Sequence, residues 1–463
     1  MRPPEPTPPP EDELAHAWKA LLARKSQLGT DRRLAELALE LISALGNTSD
    51  HRETLVSLAE AWTEDWRLIL ATASLLIAQA ERRGMDEPVV SESTPAHTAA
   101  AALSRCLEAL TPDEAQNPDI AGNLHASLGN ALRRCGPSED DRALEAFQQA
   151  LGLDESRGSW WYDLGLLHKW RGRFEDGYGA NTAALRHGAP PRPARWNLAI
   201  CATARGEGNA AMEAWKALGM PAETDPTTGM PFVDGLPPML VRVLSRPSAV
   251  DGTSVLPEGV GFEMVWVAPL SPCHGVVQSP TFRDAPIDYG DLVLWDGAPI
   301  AEHVSGPQDR VPVFALLEIL KRGAEKRWPF VALEREAGAL ESLRAALPNG
   351  ARLFVQHEQL EQHCAACEAG TPHEHSASPS PVPAPASEDP SLISTFRRGV
   401  IVVPPEVDLV AFRASWEQGL GARRLVAALP SLYEALQETK LAGQEHQAWR
   451  GIEKNALRQR ANA

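Results

Sequence analysis

The densest group of chemically capable side chains is HCAACEAGTPHEH, where Cys364 and Cys367 stand three apart with His363, His373 and His375 close by. A C-x-x-C pair can chelate one metal because both thiolates reach a common point from adjacent turns, and nearby histidines can complete a tetrahedral shell. Cys364, Cys367, His373 and His375 are the candidate ligands, His363 or His357 the substitutes, and zinc the candidate ion. The spacing fits no named zinc-finger pattern. Two other readings compete. A redox pair normally opens a helix, where the dipole lowers a thiol pKa, whereas this pair follows the polar run HEQLEQ. The third reading is a coincidental pair beside a polar loop.

Elsewhere, Cys273-His274 offers a nucleophile pair or extra metal ligands if the fold brings it close, without a visible third partner. Asp284, Asp288, Asp291 and Asp296 could hold a divalent ion, but Pro, Gly and Asp in RDAPIDYGDLVLWDG are also what tight turns require. No Walker A loop, GxGxxG, GxSxG or HExxH motif occurs, so the case for a familiar enzyme is weak.

The elements that must position these groups follow from size and texture. A chain of 463 residues implies two or three domains. Against 44 basic residues stand 61 acidic ones, a net charge of −17, which argues against a general nucleic-acid binder. Six cysteines are too few for a disulfide scaffold. The longest apolar stretch, 68–80, is short for a membrane span. With no apolar N-terminal segment, the expected setting is the cytoplasm.

Six of the first ten residues are proline, so 1–12 reads as an extended tail. Residues 13–220 read as an all-α array. ELAHAWKALLARKSQLG is expected to run to a C-cap at Gly29, with Thr30 or Asp31 capping DRRLAELALELISALG. HRETLVSLAEAW, DWRLILATASLLIAQAERRG and AHTAAAALSRCLEAL continue the pattern.

Self-comparison then shows a repeat. Leu128-Gly129, Leu164-Gly165 and Leu198-Ala199 fall 36 and 34 residues apart, and Gly136, Gly172 and Gly206 follow at a common offset. Ala143, Phe147 and Ala150 in the first copy, Trp161, Leu164 and Gly165 in the second, and Ala211 and Trp215 in the third alternate small and large residues. This pattern resembles the tetratricopeptide (TPR) repeat, a 34-residue helix-turn-helix unit. It covers residues 118–220 and extends to degenerate copies back toward residue 14. The resemblance implies an α-solenoid whose first helices line a concave groove for a partner's peptide or helix.

By position in the repeat, the groove candidates are Asn123, Ala126, Asn130, Arg133 and Arg134, then Ser159, Tyr162, Leu166, Lys169 and Trp170, then Trp196, Ile200 and Thr203. The family's two-carboxylate clamp needs two lysines, two asparagines and an arginine. Asn130 fits one position, but Ala126, Asp163, Pro193 and Asn197 hold the others, so that clamp is not expected. What remains is an aromatic groove edged by Arg133, Arg134 and Lys169, suited to an acidic-hydrophobic peptide. Against this, Trp170 and Trp196 could instead pack between helices.

Residues 221–238 read as a linker, and 239–463 as an α/β (α+β) domain with a mixed sheet, for which a split βαβ core is one arrangement. Strands are expected at 239–245, 261–270, 274–282 and 291–297, in RWPFVALE, ARLFVQ and RGVIVVPP. Helices are expected in PVFALLEILKRG, EAGALESLRAALPNG, VAFRASWEQGL and RRLVAALPSLYEALQETKL. Residues 368–392 read as a disordered insertion. The tail QAWRGIEKNALRQRANA reads as a basic helix, with nucleic acid an unfavoured partner. The function expected is a protein-interaction scaffold, with a zinc-dependent enzyme or metal sensor in the C-terminal domain as the alternative.

Overall fold

The computed structural model describes residues 11–46, 49–79, 94–245, 261–282, 285–306, 309–334, 336, 338–356, 395–420 and 425–461. The chain divides into two compact units between Pro231 and Phe232.

In the first unit, α1 (Glu11–Leu22), α2 (Arg32–Leu45), α3 (Ser49–Ala61), α4 (Trp66–Gln79) and α5 (Pro95–Glu108) pack side by side. The first helix stops at Leu22, short of Gly29, and a 3-10 turn at Lys25–Gln27 follows. Asp31 caps α2 by accepting from Leu34 N at 3.1 Å, which satisfies one orphan N–H of its first turn. After a single turn, α6 (Pro112–Ala115), come three helix pairs. They are α7 (Asn123–Cys135) with α8 (Asp140–Leu153), α9 (Gly158–Trp170) with α10 (Phe174–Arg186), and α11 (Pro191–Ala204) with α12 (Gly208–Ala217).

The repeat signature has a direct mechanical reading. Gly136, Gly172 and Gly206 each hold a positive φ (123°, 67° and 73°) where the first helix of a pair ends, a backbone state that glycine reaches without steric cost. Ala143, Phe147, Ala150, Ala211 and Trp215 are all fully buried. One apolar cluster runs from Leu21 in α1 through Ile42, Leu76 and Leu103 to Phe147 and Leu167. The helices from α1 to α10, the single turn α6 apart, therefore share one seam, as stacked units with nearest-neighbour contacts do. No helix among the described residues is long and apolar enough to cross a membrane.

A short ribbon, β1 (Glu223–Thr224) with β2 (Pro231–Phe232), follows α12. The second unit then holds two sheets. A closed barrel contains β3 (Met239–Ser245), β4 (Gly261–Pro269), β5 (His274–Val277), β6 (Leu292–Gly306) and β7 (Asp309–Lys321). Neighbours are antiparallel except for the closing β3–β7 pair, which is parallel from Leu240↔Val313 to Arg242↔Ala315. Val241, Val243, Val265, Val267, Val277, Val293, Trp295 and Phe314 fill the barrel.

The helix expected in PVFALLEILKRG is strand β7. Its Leu, Ala, Glu and Lys content favours a helix locally, but pairing on both sides, to β6 and β3, overrides that preference.

The second sheet is β8 (Lys326–Glu334), β9 (Arg352–Val355), β10 (Thr395–Val403) and β11 (Leu425–Ala428), in the order β11-β8-β10-β9 with every pair antiparallel. Helix α13 (Ala339–Ala346) joins β8 to β9, and α14 (Leu409–Leu420) joins β10 to β11. These are two interleaved βαβ units, the split arrangement. The expected single mixed sheet is thus a barrel plus an antiparallel sheet. Likewise Leu425–Ala428, expected as helix, is a strand because β8 offers it Val331–Glu334 as partner. After it come α15 (Pro430–Ala435) and α16 (Thr439–Ala461).

Phe330, Leu353 and Ile401 on one face of this sheet pack against Leu343 of α13 and Phe412 and Trp416 of α14. On the other face, Trp449 and Ile452 of α16 cover Val331, Leu333, Phe396 and Ala428. The barrel reaches the same sheet through Tyr289, whose ring lies 5.7 Å from that of Phe354 under the Arg352 guanidinium.

Candidate functional site

The first helices α7, α9 and α11 carry the residues singled out by the repeat pattern. Asn130 and Asp163 meet between α7 and α9: the Asn130 Nδ2 donates to Asp163 Oδ2 at 2.8 Å, while Asn130 Oδ1 accepts from Arg133 at 3.1 Å. Asp163, Arg133 and Arg134 are half-buried. Burial raises the Asp163 pKa above the ordinary carboxylate value, opposed by the Asn130 hydrogen bond and by the charges of Arg133 and Arg134.

Lys169 is placed differently from expectation. It is 2% exposed, and its ammonium donates to Asn197 Oδ1 at 2.9 Å while lying 5.6 Å from the Trp170 ring centroid. Asn197 passes the chain on, donating to Asn181 Oδ1 at 3.3 Å, and Asn181 donates to the Gly177 carbonyl at 2.8 Å. Three helices of successive pairs are tied by one buried polar line. Lys169 therefore belongs to the packing between repeats, because a buried ammonium must keep its hydrogen-bonding partners to offset lost hydration.

Tyr162, Trp170 and Trp196 are half-buried. Trp196 stands edge-on to the buried Trp215, with centroids 4.9 Å apart, so its ring is committed in part to holding α11 on α12. Residues 197–203 are all buried, which removes Ile200 and Thr203 from any accessible surface, and Ala126 is also buried. Of the groove candidates, Asn123, Asn130, Arg133 and Arg134 on α7 and Tyr162, Leu166 and Trp170 on α9 keep partial exposure, and Ser159 is exposed.

Charged contacts fix how these helices stack. The buried Asp140 accepts from Arg171 Nε at 2.9 and 2.8 Å, and Arg171 also donates to the Arg133 carbonyl at 3.0 Å. His168, whose carbonyl accepts from Arg171 N at the same corner, has its pKa lowered mainly by burial. Asn181 and Asp140 were not singled out in the sequence. Nothing local marks either as buried, since Asp140 stands between Glu139 and Asp141 and Asn181 precedes Thr182; their burial follows only from partners 16 and 31 positions away.

In the second unit, Cys273 and His274 are both buried, together with Ser271. Ser271 Oγ lies 2.5 Å from His274 Nδ1 and 3.7 Å from Cys273 Sγ. The trio closes the turn into β5, where Leu270 N donates to the His274 carbonyl. Asp291 accepts from Gly323 N at 2.8 Å, from Asp288 N at 3.0 Å and from Arg322 at 3.0 Å. Asp296 accepts from Ala298 N. These carboxylates have turn roles, while Asp284 lies outside the described residues. So do Cys364, Cys367, His363, His373, His375 and His357. Among the described residues no group of three His, Cys, Asp or Glu side chains is arranged to hold a metal ion.

The basic C-terminal helix is anchored. Glu453 receives Arg398 at 2.7 Å, and Glu445 accepts from Leu429 N at 2.7 Å. Lys440 and Arg450 stay exposed.

No protein-family profile matches the sequence, and no curated protein matches it. Among solved structures, the crystal structure of MamA aligns with 41% of this chain and 93% of its own length, at 13% identity and a TM-score of 0.30.

Proposed function

We propose that the helical unit is a TPR-type protein-interaction module and that the chain acts as a scaffold or adaptor. The reading rests on one observation. Three helix pairs repeat at the spacing and with the small-large packing of that unit, and the first two leave Asn130, Arg133, Arg134, Tyr162 and Trp170 partly exposed on neighbouring first helices. Aromatic rings beside guanidinium groups suit an acidic peptide or helix with apolar anchors: the rings supply area and the arginines select carboxylates.

Selection of displayed peptides against the full-length chain tests this. Enrichment of acidic-aromatic sequences, with binding lost in a Tyr162→Ala/Trp170→Ala variant and weakened by Arg133→Gln/Arg134→Gln, is the expected result. Peptides that bind the variants as well as the wild type would overturn it.

A metal role for Cys364, Cys367, His373 and His375 rests on their spacing alone. Metal analysis of the purified chain tests it. Zinc bound stoichiometrically by the wild type and lost in Cys364→Ser/Cys367→Ser supports it, and no zinc in the reduced wild type ends it.

A further inference from the structure

Among the described residues, Gln437 is the only one other than glycine with a positive φ, at 62°. It closes α15: Gln437 N donates to the Glu434 carbonyl at 3.0 Å and Glu438 N to the Tyr433 carbonyl at 2.8 Å. Glycine normally fills such a left-handed helix stop, since a Cβ is disfavoured there. The local sequence argues for the opposite geometry. EALQETKL, Glu434 to Leu441, contains no glycine or proline and is rich in strong helix formers. Left to local preference, 430–461 would be one unbroken helix.

Tertiary contacts hold the bend. Leu432 and Tyr433 pack on one side of the sheet with Ala442, and α16 then passes the edge strand β11, where Glu445 accepts from Leu429 N. Trp449 and Ile452 finish on the opposite face, with Arg398–Glu453 beside them. Without α16, Val331 and Ala428, both fully buried, would meet water and the β11 edge would lose its cover.

Two demands therefore conflict. The sheet must be covered, and the turn that allows the chain's own helix to cover it runs against local preference. A helix from a second copy meets both, because it supplies identical contacts while Gln437 becomes helical.

We propose that α16 is an exchangeable element: straightening at Gln437 merges 430–461 into one helix, and two copies trade these helices in a reciprocal, two-fold dimer. The docking surface is the Val331–Leu333–Phe396–Ala428 face, and its partner is α16 of a second copy.

Light scattering after size exclusion, on full-length wild type, Gln437→Gly and Gln437→Ala over a concentration series, tests the idea. Glycine favours the bend and alanine the straight helix, each of two hinges contributing roughly thirtyfold, so the two variants should differ about a thousandfold in dimerisation constant. A second readout uses Arg398→Cys/Glu453→Cys in an equilibrated mixture of isotope-labelled and unlabelled protein, bridged by a short bismaleimide. Bridges joining labelled to unlabelled copies in the dimer fraction support exchange. Gln437→Ala remaining monomeric at its highest soluble concentration, or a dimer whose 398–453 bridges all lie within one copy, would overturn it.

Discussion

Gly129 lies against the ring of Phe147. A Cβ placed on this glycine would stand 2.8 Å from the ring's Cε1 and Cζ and 2.9 Å from Cδ1. The glycine that marks the repeat in the sequence is thus the cavity into which the second helix's aromatic fits, and α7 approaches α8 as closely as it does for that reason.

Gly129→Ala should therefore destabilise the helical unit although alanine is the better helix former. Replacing Gly by Ala gains roughly 1 kcal/mol of helix propensity, against about 1–3 kcal/mol for overpacking a filled site, and three ring atoms within 3.0 Å put this site toward the upper end of that cost. Urea unfolding followed by circular dichroism should show a lower midpoint for the helical transition. An unchanged or raised midpoint would mean that α8 moves away at no cost.

Lys169→Met separates packing from recognition. Methionine keeps most of the apolar stem but leaves Asn197 Oδ1 without the ammonium donor, a loss of about 1–3 kcal/mol for a buried acceptor. Stability should fall, while affinity for selected peptides, measured well below the unfolding temperature, should stay within about twofold. Trp170→Ala should show the reverse balance, with peptide affinity lost first.

Asp163→Asn tests the buried carboxylate. A folded-state pKa above the ordinary 3.8 means that ionising Asp163 opposes folding. Its contribution to stability is full below pH 3.8 and is lost as pH rises through the raised value. The asparagine variant keeps an acceptor for Asn130 and carries no charge to bury. It should be more stable than wild type near pH 7, with the difference shrinking as pH falls. A difference that is constant across pH, measured by denaturant titration, would contradict the assignment.

Burial pushes the Cys106 thiol up to about 11 and the Cys135 thiol to about 12. Because the thiolate is the reactive form, neither should be modified by Ellman's reagent at pH 8 in the folded chain. Both should react on addition of guanidinium chloride. The stability these thiols contribute is full below their ordinary value of 9 and falls as pH rises through 11 and 12. Rapid labelling of either one in the native protein would show that the helical core opens locally.

The helical half of the molecule was legible because its information is local. Gly136, Gly172 and Gly206 recur at one offset and each takes the positive φ that ends its helix, and a 34–36 residue period with Ala143, Phe147, Ala211 and Trp215 at set positions implies nearest-neighbour packing. The candidate site was legible only as a set of positions. That Lys169 is sealed against Asn197 while Trp170, the next residue, stays half-exposed depends on α11, 28 residues further on.

By itself the sequence determined where the first helices of the three repeats stop, at Gly136, Gly172 and Gly206, and that a β-rich region follows. Only tertiary structure decided that 309–321 is a strand, that β3 closes a barrel on β7, and that 430–461 bends at Gln437. In each case a partner distant along the chain supplied the hydrogen bonds or the apolar face, and that gain outweighed a local preference for helix.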